Sequence, residues 1–160
     1  MNLVELAASK GVLICSAESL TAGLVSAEIA KTPGASKVLL GGMVLYQDQI
    51  KAQLLGVSKT LMESQTSVDP EVAAQLATAV QAKFANAAGV NTNQVMAIAT
   101  TGAAGPDWVG NQAPGTVFIS IARGDEVSVY AEYFEGDRSE VTLATVERAI
   151  SLLREHLEAI

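Results

Sequence analysis

A single cysteine, Cys15, stands in the whole chain, which excludes an intramolecular disulfide and any cysteine-based zinc cluster and suits a reducing compartment. It lies in an apolar run and is expected in the core. Histidine is equally scarce: His156 is the only one, and its place in the last turns of a terminal helix suits a solvated or helix-capping role, so a Ser-His-Asp triad is not expected. Cations are outnumbered, with 10 Lys and Arg against 17 Asp and Glu and a net charge of −7. A nucleic-acid backbone demands a basic face that these scattered cations do not supply, so no such partner is expected, although a small anion held by local groups remains open. No apolar run reaches the ~18 residues of a membrane span, and no basic segment precedes an apolar stretch with a small-residue cleavage site. The protein is therefore read as cytoplasmic, without a membrane partner.

Repeats, charge blocks, low-complexity segments and linkers are missing as well, and residues 1–160 read as one domain. At 49% apolar a chain of this length buries ~70% of its unfolded surface and needs no staple. Asn2 to Lys10 has helical spacing and stops at Gly11, and Val12 to Cys15 reads as a buried strand. The next helix runs through Leu24, Val25, Ile29 and Lys31 and ends before Pro33-Gly34. Val38 to Tyr46 is strand-like, Asp48 to Leu55 is a short helix ending at Gly56, and Thr60 to Ser64 is a further helical turn. Asp69-Pro70 opens a long helix, with Asp as cap and Pro at its first position, that continues to Gly89. Val95 to Thr100 is another buried strand. Thr116 to Arg123 and Glu126 to Phe134 alternate with period two around the hairpin turn Gly124-Asp125. A last helix spans about Ser139 to Leu157. Strands alternating with helices imply an α/β sandwich, and the hairpin makes the sheet mixed.

Chemistry concentrates where strands end. Ala17-Glu18-Ser19-Leu20-Thr21-Ala22-Gly23 follows the first strand, where the unsatisfied amides of a helix start stabilise a nucleophilic oxygen or an anion; Ser19 or Thr21 is equally suited to be the N-cap of that helix. Tyr46-Gln47-Asp48-Gln49-Ile50-Lys51 places a phenol and an amine after the second strand. A lysine can act as a base only when neutral, which burial or a neighbouring cation favours; Lys51 also fits the solvated face of its helix, and Tyr46 fits a packed strand end. Thr100-Thr101-Gly102-Ala103-Ala104-Gly105-Pro106 is either an anion nest or an ordinary loop. Arg138 can fork onto a phosphate or pair with Asp137 or Glu135. Glu18 can orient Lys51, bind a ribose hydroxyl or satisfy nearby backbone amides. Ligands of such sheets sit beyond the carboxyl ends of strands, where all of these groups lie.

In order and spacing, Ala17 to Gly23, Tyr46 to Lys51, Leu55-Gly56-Val57, Val68 to Ala77, Gly102 to Pro106, Gly115-Thr116-Val117 and Phe134 to Arg138 resemble the C-terminal domain of the CinA-type competence/damage-inducible proteins. The enzymatic members of that family are nicotinamide mononucleotide amidohydrolases. The resemblance implies a three-layer α/β/α sandwich with a mixed, mostly parallel sheet including one antiparallel hairpin. It implies hydrolysis of the carboxamide to nicotinic acid mononucleotide and ammonia, with Ser19 as nucleophile, Lys51 as base and Tyr46 relaying a proton or orienting Lys51. Glu18, Thr21, Thr101, Gly102, Gly105 and Arg138 would bind the mononucleotide, with no metal and no cofactor. A homo-oligomer, dimer or higher, is expected. The further N-terminal domain of longer members has no counterpart here, so the likeness is to the stand-alone form. Ala22 replaces the usual Gly, Asp48 an Asn, Thr101 a Ser, Trp108-Val109 a Gly pair, and Thr142 an Arg. A carboxylate at Asp48 would repel a phosphorylated substrate, and Trp108 would close the pocket or offer a stacking surface. Two other readings are a non-catalytic nucleotide-binding or dimeric interaction module and a hydrolase of another small amide.

Overall fold

Helix starts are encoded locally: the side chains of Asn2, Ser58, Asp69 and Asp137 each accept from backbone amides of the first turn that follows, satisfying donors that a helix leaves orphaned. In the computed structural model, which describes residues 1–160, these caps open α1 (Leu3–Lys10), α4 (Lys59–Gln65), α5 (Pro70–Ala88) and α6 (Arg138–Glu158). The remaining helices are α2 (Leu24–Ala30) and α3 (Asp48–Leu55), and the strands are β1 (Leu13–Glu18), β2 (Leu39–Val44), β3 (Val95–Gly102), β4 (Thr116–Arg123) and β5 (Glu126–Tyr133). Short 3-10 turns at Ala35–Lys37 and Thr92–Gln94 lead into β2 and β3.

The strands form one sheet in the order β2-β1-β3-β4-β5. β1 pairs in parallel with both β2 and β3, while β4 runs antiparallel to β3 and to β5, so only β4 opposes the common direction. Alternation along the central strands separates two cores. Ile14, Met96, Ile98, Ile119 and Ile121 pack under α1, α2 and α6; Cys15, Ala17, Val95, Ala97 and Ala99 pack under α5 with residues of α4. This is a three-layer α/β/α sandwich whose sheet is mixed and mostly parallel, with the β4–β5 hairpin at one side.

Three strand ends differ from the sequence reading by two residues or more, β2 among them, which stops at Val44 and not at Tyr46. β1 continues to Glu18 because β2 and β3 supply ladder partners on both sides of its polar last residues, and β3 continues to Gly102 because β4 pairs with Thr101 and Gly102. No helix is long and apolar enough to cross a membrane.

Candidate active site

Register brings the candidate groups together. Glu18 lies beside Val44 of β2 and Thr100 of β3, so three parallel strands end at one side of the sheet, with Ser19 and Tyr46 following β1 and β2 and Thr101 in the last residues of β3. A cavity of ≈ 220 Å³ opens there, lined by Ser19, Tyr46, Lys51, Thr101, Gly102, Gly105 and Arg138. Leu20, Ser67, Val68, Ala104, Asp107 and Val109 complete the wall.

Ser19 is 8% exposed. Its amide donates to the Thr100 carbonyl at 3.1 Å and its carbonyl accepts from Ala22 at 3.1 Å, which fixes the backbone, while its hydroxyl makes no hydrogen bond within the chain. The amides of Leu20 and Thr21 also donate to no acceptor of the chain. Lys51 is the bulkiest of the fully buried side chains, only 1% exposed. Its Nζ donates to the Tyr46 carbonyl and to Asp48 Oδ1, each at 3.1 Å. Ser19 and Lys51 share the cavity without a direct hydrogen bond.

Tyr46 holds Lys51 through its backbone, while its ring, in a residue 55% exposed, turns elsewhere: Arg138 Nη1 donates to the Tyr46 hydroxyl at 3.1 Å. Arg138 is not paired with Asp137 or Glu135. Asp137 instead caps α6, accepting from the Glu140 amide, and leaves the guanidinium at the cavity wall with its other donors free for an anion.

Glu18 and Thr21 do not line the cavity, which corrects their expected place among the substrate contacts. Both are buried. The Glu18 carboxylate accepts from the Ser16 and Thr21 hydroxyls and from the amides of Gly23, Val25 and Ser26, and the Thr21 hydroxyl also meets that of Thr100. Neither Ser19 nor Thr21 caps α2; its N-cap is Gly23, with no side-chain cap of its own, and the buried carboxylate from β1 serves the helix start. Glu18→Ala would strand three amides at once. It is expected to lower stability by ~3 kcal/mol or more, the scale for buried donors left without acceptors, as read by urea unfolding; a loss under ~1 kcal/mol would show that the network is dispensable.

The glycine loop divides its tasks. Gly102 is required by packing, since a Cβ there would lie 2.8 Å from Val117 and 3.0 Å from Leu20. Beyond it the Ala103 amide is tied to the Thr116 carbonyl, whereas the amides of Ala104 and Gly105 donate to no acceptor in the chain and are available to a ligand. Thr101 is committed: its hydroxyl donates to the Ser67 carbonyl at 2.7 Å. Ser67 and Asp107 had been missed by the sequence reading. Asp107 is traceable to its place after the glycine loop, but Ser67 comes from the α4–α5 link and has no local signature. Its neighbour Thr66 adopts φ 98°, a strained backbone for a β-branched residue and one that such sites concentrate.

Asp48 does not face the cavity either, so it does not present a bare carboxylate to a ligand; it pairs with Lys51 and lies in a separate hollow with Gln49, Lys59, Met62 and Glu63. Trp108 is 65% exposed and outside the cavity lining, which places it neither as a lid nor as a wall. Thr142 lies in a neighbouring groove with Leu24 and Leu143. Ala22 has φ 49°, a left-handed backbone that costs a residue with a Cβ roughly 1–2 kcal/mol relative to glycine. Other nucleophiles and bases are remote or inert. Burial pushes the Cys15 thiol up to about 12, and it sits in the core; His156 contacts the Tyr130 hydroxyl at 2.7 Å and is held below its ordinary value chiefly by burial.

The family model described as CinA C-terminal domain matches residues 1–157. A competence-damage inducible protein of Geobacillus kaustophilus is 36% identical over 151 residues, 94% of this chain and 34% of that protein, so the chain spans about a third of the length of that curated relative. Among solved structures, the competence or damage-inducible protein from Enterobacter asburiae superposes with a TM-score of 0.83 at 25% identity, covering 98% of this chain and 99% of the other. A CinA superfamily protein from Escherichia coli gives a TM-score of 0.81 at 27% identity, covering 93% and 82%.

Proposed function

The chain belongs to the CinA C-terminal domain family, and from that premise and the geometry of the cavity we propose that it hydrolyses the carboxamide of nicotinamide mononucleotide to nicotinic acid mononucleotide and ammonia. The observation that carries this reading is a buried lysine amine lining the same cavity as a serine whose hydroxyl has no partner in the chain. A lysine loses solvation when buried and is retained in a cleft where its chemistry is used.

In this reading Ser19 Oγ attacks the carboxamide carbon as Lys51 takes the hydroxyl proton. The tetrahedral oxyanion is held by amides available beside it, those of Leu20 and Thr21 or of Ala104 and Gly105. The C–N bond then breaks, and Lys51 returns the proton to the departing nitrogen, which leaves as ammonia. Water attacks the seryl ester; Lys51 takes one of its protons and passes it back to Ser19 Oγ as the acid product departs. Tyr46 positions the amine through its carbonyl, and Arg138 meets the phosphate.

The binding part is tested by calorimetric titration of nicotinamide mononucleotide and nicotinamide riboside into the parent and Arg138→Ala. Loss of a charge-assisted hydrogen bond is expected to weaken the mononucleotide by ~1.5–3 kcal/mol and the uncharged-tail riboside much less. Equal losses would make Arg138 structural. Binding of neither ligand by the parent would favour a non-catalytic interaction module on the same scaffold.

A further inference from the structure

At the opposite end of the sheet, a second cavity of ≈ 210 Å³ lies between the ends of β4 and β5 and the last turn of α6, with Arg123, Glu126, Ser128 and His156 as its polar lining over a floor of Met96 and Ile121. β3 runs its full length between this place and the Ser19 cavity, its first residues near Arg123 and its last at Gly102, so the two are separate.

Arg123 is unlike the other arginines. Arg138 donates to Tyr46, Arg148 to Glu132 and Glu155, and Arg154 to Glu158 and the Met1 carbonyl; Arg123 makes no hydrogen bond or ion pair. Its Nε is the one buried side-chain nitrogen or oxygen of the chain without a partner. A buried donor left unmade is costly, and a guanidinium edge is shaped for a carboxylate. Ser128 adds a hydroxyl with no hydrogen bond of its own.

The surroundings disfavour a plain anion. Glu126 stands directly opposite Arg123 in the β4–β5 ladder, and the carbonyl end of α6, negative by its dipole, borders the same space. His156 is bound to Tyr130 and held towards its neutral form by burial, so it adds no balancing charge. One cation and one carboxylate thus line the same cavity over an apolar floor. We propose that this cavity binds a small zwitterion, an α-amino acid with a short apolar side chain, its carboxylate on Arg123 and Ser128, its ammonium on Glu126 and the α6 carbonyls, and its side chain on Met96 and Ile121. The volume equals roughly seven waters at ~30 Å³ each, in keeping with a ligand of about that many non-hydrogen atoms.

Valine and its two truncated forms, isovalerate without the ammonium and isobutylamine without the carboxylate, separate the alternatives by calorimetric titration of the intact protein. Valine is expected to bind about tenfold or more tighter than either truncated form, the scale of one charge-assisted contact, and Arg123→Gln and Glu126→Gln are each expected to remove that advantage. A second readout on the parent protein is independent of how the variants fold: the Nε–H resonance of Arg123 should move on adding valine. Isovalerate binding as tightly as valine, no saturable binding of valine, or a resonance that does not move would each overturn the proposal.

Discussion

Ser19→Ala is expected to lower amide hydrolysis by at least ~10³-fold, since without the attacking oxygen only binding and oxyanion stabilisation remain. The fold should hardly register the change. The Ser19 hydroxyl caps no helix and makes no hydrogen bond, so the ~1 kcal/mol cost of losing an N-cap does not apply. Steady-state rates with circular dichroism and urea unfolding on the same preparation make the comparison. A folded variant turning over at the parental rate would remove Ser19 from the mechanism.

Lys51→Met is expected to be nearly as severe, a loss of ~10²–10⁴-fold in kcat, the contribution of a positioned general base. Methionine roughly keeps the buried volume, and the carboxylate it leaves behind, Asp48, has a side chain half exposed to water, so the variant should fold and still bind the mononucleotide. Loss of kcat with retained calorimetric binding is the expected pattern. Unchanged turnover would reduce Lys51 to a core residue tied to the start of α3.

Much of the fold was legible because its signals are local. Asp69-Pro70 marks the start of α5 and Gly124-Asp125 the hairpin, and both lie where the sequence reading put them. The end of β1 was hidden by Ser16 and Glu18, polar residues that look like a turn until β2 and β3 pair on either side. Glu18 shows the deeper limit. Its partners are amides of a helix that starts several residues later, and which of them it meets depends on how α2 packs back on β1. The Tyr46–Arg138 contact spans 92 positions and is likewise invisible to spacing. Strand ends indicated which residues lie together; they could not indicate that Lys51 turns inward, that Asp48 pairs with it from outside the cavity lining, or that Trp108 stays outside.

Ammonia release is the direct measure of the proposed hydrolysis. Purified protein is supplied with nicotinamide mononucleotide, with nicotinamide riboside and glutamine in parallel, and ammonia is followed by a coupled assay while the nucleotide product is resolved by chromatography. One nicotinic acid mononucleotide is expected for each ammonia, with slower release from the riboside and none from glutamine, all abolished in Ser19→Ala. No ammonia from the mononucleotide, or an equal rate from the Ser19→Ala protein, would contradict that expectation.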